Sequence, residues 1–193
     1  LWRLIAMTGM RRGEAMGLRW SDVDLETNRL SIVQARSIWG TSSPKTPRSR
    51  RSLDLDPETA AVLKRWRRRQ LEERMLWGEL WTDTGLVFTR EDGRACHTDT
   101  VTGVFVRHVN RINKQLTEEA QQKGEEPALL PQIRLHDLRH THATLLLAND
   151  VNPKVISERL GHASVAFTLT VYAHVLPGIQ KEAVSRLAAV IDG

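Results

Sequence analysis

The order of apolar and polar positions divides the chain into helical and extended stretches, punctuated by glycine and proline. Residues 1–7 (LWRLIAM) form an apolar helical piece that Thr8-Gly9 interrupts, since glycine accepts the backbone a helix end requires. Helical spacing resumes at 11–18, with Thr8 as its expected cap, and Trp20-Ser21-Asp22-Val23-Asp24 is turn chemistry leading out. β-Branched and aliphatic residues over 29–38 predict a strand, 40–44 a loop and 52–55 a short strand, together a small antiparallel sheet. Asp56-Pro57-Glu58 combines a capping carboxylate, a first-turn proline and an acid against the dipole, and predicts a helix to about Trp77. Residues 85–88 are a short extended piece. Val101, Val104, Phe105, Val109 and Ile112 at core spacing predict a helix over 98–116. The polar, acidic, proline-punctuated stretch 117–132 reads as a loop or insertion with frayed helix at its start. Three helices follow: one over about 135–149 anchored by Leu138, Leu145 and Leu146, one capped by Asn152-Pro153 and stopped by Gly161, and one over 165–175. Pro177-Gly178 is a hinge before an amphipathic C-terminal helix over 179–191, with Ile179, Ala183, Leu187 and Ile191 in register. The expected fold class is mainly α with a small antiparallel β-sheet (α+β), one domain over 1–193.

Composition narrows the partners. At 193 residues and 40% hydrophobic the chain can bury a real core. Lys and Arg outnumber Asp and Glu by 28 to 23, the formal charge is +5 and the pI about 9.9. Most of the cations are arginine, whose planar fork suits phosphate, yet charge alone leaves a basic soluble domain and a nucleic-acid binder equally open. The single cysteine, Cys96, excludes a disulfide framework and reads as an incidental thiol in a reducing compartment. With no apolar run of spanning length and no signal peptide, a cytoplasmic protein without a membrane partner is expected. The sequence begins in mid-helix pattern without a methionine, and a fragment of a longer chain is expected. Lys45, Arg48, Arg50 and Arg51 make a basic, Ser/Pro-rich hairpin tip, read as a phosphate contact. The Lys64 to Arg69 run, followed by Glu72, Glu73 and Glu79, reads as the solvated face of a long helix.

The candidate chemistry lies in three clusters. His136, Arg139 and His140 fall at i, i+3 and i+4 and so project from one helix face; Leu160-Gly161-His162 follows the next helix; Tyr172, the only tyrosine, follows that. Arg11 and Glu14 share a face in the same way. His136 and His140 have the spacing of a zinc pair, but no glutamate stands in the His-Glu-x-x-His position and Arg139 would set a cation beside the metal, so no metal is expected. A serine hydrolase is disfavoured by the absence of a nucleophile-elbow glycine pattern. Phosphoryl transfer fits better: charge builds on non-bridging oxygens and is met by Arg and His donors, while a tyrosine nucleophile needs cationic neighbours or a base.

On these residues the chain resembles the catalytic domain of tyrosine recombinases, the phage-integrase family. Thr8-Gly9-Met10-Arg11-Arg12-Gly13-Glu14 is similar to the family's first arginine box, His136-Asp137-Leu138-Arg139-His140 to its second, and Leu160-Gly161-His162 with Thr170-Val171-Tyr172-Ala173-His174 to its C-terminal box. The resemblance spans nearly the whole chain, with the boxes in family order. It implies that Arg11 and Arg139 clamp a scissile phosphate, that His136 supports proton movement, that His162 donates to a non-bridging oxygen, and that Tyr172 attacks to form a 3′-phosphotyrosine. It implies Lys45 as general acid, Glu14 as the residue that orients Arg11, and His140 as a brace for its helix. It further implies a site-specific recombinase or integrase acting on double-stranded DNA as a homotetramer on synapsed duplexes, with accessory DNA-bending proteins, no cofactor, and a bacterial or phage-encoded, nucleoid-associated setting. An N-terminal DNA-binding domain would complete a clamp in the full protein, and the helix over 179–191 would pack on its own or a neighbouring protomer. The alternatives are a type IB topoisomerase-like nicking and sealing enzyme and a non-catalytic DNA-binding module on the same fold.

Overall fold

The structure, a computed structural model, describes residues 1–42 and 50–172. Two short helices open the chain, α1 (Trp2–Thr8) and α2 (Arg12–Gly17), with Gly9 at φ 65° between them. Thr8 is the last residue of α1, where its hydroxyl bonds the Leu4 carbonyl; the amide of Arg11 is instead capped by the Glu14 carboxylate at 2.7 Å. A turn of 3₁₀ helix leads into β1 (Val23–Asp24), which the turn residues had concealed.

The stretch expected as one strand is two. β2 (Arg29–Ile32) lies between β1 and β5 (Arg51–Asp54) in an antiparallel sheet, with Leu30 opposite Leu53 and Ile32 opposite Arg51. The strand breaks at Gln34, whose amide reaches the Gly17 carbonyl at 2.6 Å, and β3 (Ala35–Ser37) then pairs with β4 (Gly40–Ser42), part of the expected loop. β3 lies so close on α2 that a Cβ at Gly13 would stand 2.6 Å from the Arg36 carbonyl oxygen. Here glycine is required by contact rather than by backbone angle.

α3 (Pro57–Trp77) has the expected bounds, and Asp56 accepts the Thr59 amide at 3.0 Å as its cap. Its basic run is solvated: Arg65 pairs with Glu58 and Arg69 with Glu73 on the exposed face. α4 (Thr98–Lys123) continues into the stretch expected as loop before Gly124 stops it at φ 71°. Val101, Phe105 and Val109 are buried, but Ile112 is 39% exposed, off the face that Val109 and, further along, Ala120 bury. α5 (Asp137–Ala148), α6 (Pro153–Leu160) and α7 (Val165–Tyr172) follow; α5 packs on α1, and α6 on both β5 and α7. Asn152 caps α6 as expected, accepting the Lys154 amide at 2.8 Å. Leu138 and Leu146 pack against the core as expected, but Leu145 is 58% exposed; Ala143 and Leu147 are the buried apolar residues of α5.

The core has two parts. The larger joins α1 and α2 to the sheet, α3 and α4 through Leu4, Met16, Leu30, Leu53, Leu63 and Phe105. The smaller joins α5, α6 and α7 through Ala143, Leu147, Ile156, Leu160 and Tyr172. The site lies where α1 and α2 meet this second part. Lys45, Arg48, the Pro177-Gly178 hinge and the helix expected over 179–191 lie outside the described residues.

Candidate active site

α6 ends in carbonyls that its own helix leaves without partners. Two guanidiniums from distant parts of the chain fill them. Arg139, 3% exposed, donates to the Leu160 carbonyl at 2.7 Å and to the Gly9 carbonyl, at the end of α1, at 2.6 Å. Arg51 donates through Nε to the Arg159 carbonyl at 2.6 Å. The negative ends of two helices thus hold cations where α1, α6 and β5 converge.

Gly161 permits that convergence. It sits at φ 65°, and a Cβ there would lie 2.8 Å from Arg51 Nη1. Glycine therefore both terminates α6 and makes room for the arginine.

Glu14 ties the cations together. Its carboxylate accepts from both terminal nitrogens of Arg51, at 3.1 and 2.9 Å, and from Arg11 Nη1 at 2.9 Å. The Arg51 and Glu14 side chains are 7% and 6% exposed, whereas Arg11 is 44% exposed. Burial alone would raise the Glu14 carboxyl, but the bonds and charge of Arg51, then Arg11, hold it below its usual range. Burial, then the charge of Arg11, brings Arg139 down to about 10, with Arg51 adding to the shift; it still carries its proton at neutral pH. Three guanidiniums against one carboxylate leave a net positive centre, open to solvent on the Arg11 side.

The imidazoles and the phenol complete the cluster. His162 is pushed down to about 4 by burial and then by Arg139, Arg11 and Arg51, and its Nδ1 lies 2.8 Å from the buried Thr168 hydroxyl on α7. His136, the exposed residue at the start of α5, stacks edge-on against His140 with ring centroids 5.0 Å apart, and burial followed by His140 lowers its pKa. His136 and His140 thus share a face, while Arg139 turns inward. His140 does not merely brace its helix: its Nδ1 lies 3.0 Å from the Tyr172 hydroxyl. Tyr172 is 2% exposed, and burial raises its pKa, so the resting phenol keeps its proton. A cleft of about 410 Å³ opens beside the cluster, lined by Arg50, Arg51, Lys154, Ser157, His162 and Ser164 among others.

Six positions singled out in the sequence, Arg11, Glu14, His136, Arg139, His140 and His162, are thereby gathered around Tyr172, and Arg50 flanks them. Thr168 was missed, and Arg51, expected only as one of the hairpin's phosphate contacts, is instead buried against Glu14. Arg51 stands within the basic hairpin run, and nothing local in the sequence distinguishes it from the other cations there. Thr168 reads as an ordinary helix residue.

A mainly helical domain that gathers arginine, histidine and tyrosine in this way has the architecture of a tyrosine recombinase catalytic domain. The family model described as "Phage integrase family" matches residues 1–178, and the chain belongs to that family. Among curated relatives it is 30% identical to a tyrosine recombinase XerC-like protein of Caldanaerobacter subterraneus subsp. tengcongensis, over 97% of this chain and 48% of that protein. It is 31% identical to the ICEBs1 integrase of Bacillus subtilis, over 94% of this chain and 46% of that one. The chain spans about half the length of the curated relatives it matches. Among solved structures, the Tn1549 transposon integrase in complex with transposon right end DNA superposes with a TM-score of 0.76 at 23% identity, covering 97% of this chain and 57% of that one. The XerA recombinase gives 0.59 at 26%, covering 95% and 55%.

Proposed function

We propose that the chain is the catalytic domain of a site-specific DNA recombinase that cleaves and rejoins strands through a 3′-phosphotyrosine. The observation that carries this reading is the net positive centre of Arg11, Arg51 and Arg139 gathered with His162 and the one tyrosine. A phosphodiester seated there meets donors at the non-bridging oxygens where charge develops. Arg11 and Arg139 clamp the phosphate, and Glu14 and Arg51 hold Arg11 in place. His162 stays neutral at physiological pH; with Nδ1 accepting from Thr168, its Nε2–H is the donor to the phosphate. His136 supports proton movement. Tyr172 forms the bond to phosphorus as the 5′ oxygen leaves, and Lys45 is the acid that protonates that oxygen. The bond energy stays in the phosphotyrosine, so resealing needs no cofactor.

Arg48, Arg50 and Lys45 follow the DNA backbone, as phosphate contacts that position the duplex. The Tn1549 integrase, which shares this fold and is solved in complex with transposon right end DNA, supports a DNA partner, here read as double-stranded. In the full protein the domain works as one of four protomers on synapsed duplexes with a second DNA-binding domain, consistent with the length of its relatives.

A nicked suicide substrate tests the reading. The wild-type chain traps a covalent protein–DNA adduct on a denaturing gel; Tyr172→Phe yields none while DNA binding persists. Adduct formed by Tyr172→Phe would remove this residue from the nucleophile's role.

A further inference from the structure

We propose that His140 is the group that takes the Tyr172 proton, the general base for strand cleavage and the acid that returns the proton on resealing. The inference rests on the recombinase reading above and deepens it.

The geometry is direct. A candidate base must lie within hydrogen-bond reach of the proton it removes. His140 Nδ1 lies 3.0 Å from the phenolic oxygen, and among the described residues no other side-chain hydrogen bond to that hydroxyl is found. In this role the phenol donates to the Nδ1 lone pair, and the imidazole carries a proton on Nε2. α5 and α7 both pack into the smaller core, and the rings of His140 and Tyr172 lie 5.9 Å apart between centroids, so the pair is held by packing on both sides.

The surroundings suit a proton acceptor. Burial makes the phenol harder to ionise, so attack at neutral pH requires a partner. The charged and titratable groups in reach of the pair are His136, Asp137 and Arg139 from α5 and its start, and His162 from the turn before α7. Asp137 is the carboxylate among them, held low first by its bonds to Arg134. His136 stacks on the ring of His140 and is solvent-exposed, so it can relay the proton outward.

The step balances. The Tyr172 oxygen forms its bond to phosphorus as the phosphorus–5′-oxygen bond breaks. The phenolic proton passes to His140 Nδ1, giving an imidazolium, and the departing 5′ oxygen takes a proton from the separate acid. Resealing reverses both transfers.

Tyr172 is the only tyrosine, so growth on a fluorinated tyrosine labels the nucleophile alone. The test is single-turnover cleavage of the nicked suicide substrate across pH 5 to 9, with His140→Gln, which can accept a hydrogen bond from the phenol but cannot take its proton. His140→Gln is expected to cleave about 10²–10⁴-fold more slowly, with a rate that keeps rising with pH where the wild type levels off. Replacing Tyr172 by 3,5-difluorotyrosine, whose phenol ionises at lower pH, should restore most of the lost rate in His140→Gln and add little to the wild type. A wild-type rate and pH profile in His140→Gln would overturn the proposal. So would a loss that difluorotyrosine fails to rescue, which would make His140 a structural residue. Failure of the recombinase reading itself is distinguishable, because it appears as no covalent adduct from the wild-type chain.

Discussion

Arg51→Met removes the one arginine of the site that is both buried and bidentate on Glu14. Glu14 would remain 6% exposed, with Arg11 as its sole guanidinium partner among the described residues. Breaking a buried pair by deleting one partner typically costs about 3–5 kcal/mol. Arg11 still donates at 2.9 Å and at 44% exposure offsets part of that, while the Arg159 carbonyl loses a donor worth about 1 kcal/mol. The expected loss is about 3 kcal/mol, a fall of roughly 6–12 °C in melting temperature for a chain of this length. Urea unfolding of wild type, Arg51→Met, Glu14→Met and the double variant separates the pair from its context. The double variant should regain about 2 kcal/mol over the sum of the singles, because two apolar side chains leave no buried charge unmatched. Cleavage should stay low in the double variant, since Arg11 has lost its anchor. A loss under about 1 kcal/mol in Arg51→Met, or strict additivity, would refute the claim that this buried pair organises the site.

Two further outcomes follow from the same centre. Gly161→Ala places a Cβ 2.8 Å from Arg51 Nη1 at φ 65°, so a loss of about 1–3 kcal/mol in urea unfolding is expected together with weakened cleavage; a neutral result would mean that Arg51 has room to move. His142 and His162 are each pushed from 6.5 down to about 4, chiefly by burial, so between those values the unfolded chain binds protons that the folded chain refuses. Their contribution is complete above about pH 6.5 and is lost as pH falls toward 4, by up to about 3 kcal/mol each. His142→Leu should flatten the slope of stability against pH in that window, and an unchanged slope would exclude His142 as a source.

Much of the site is legible along the chain because motif residues are local. The i, i+3, i+4 spacing places His136 and His140 on one face, Asn152-Pro153 and Gly161 bound α6, and a single tyrosine draws attention to itself. Errors came where the deciding force was not local. Leu145 and Ile112 have the spacing of core residues, but each lies off the face its helix buries, which runs along Arg139, Ala143 and Leu147 in α5 and along Val109 and Ala120 in α4; which face meets a neighbour is set by the packing. The strand expected over 29–38 was broken by one bond from Gln34 to the Gly17 carbonyl, a contact between segments.

What the sequence determined by itself is most of the helices among the described residues, with the caps of α3 and α6, the presence of a small antiparallel sheet, and the chemical kinds of group available: arginine, histidine and one phenol in family order. Only the tertiary structure decided their work. The carbonyls left over at the ends of α1 and α6 need donors, and packing α1, α5, α6 and β5 together brings Arg139 and Arg51 to them. The same packing buries Glu14 between two cations and seats His140 on Tyr172. Unmet backbone groups and buried charges find partners by distance in space, and that distance exists only after the chain has folded.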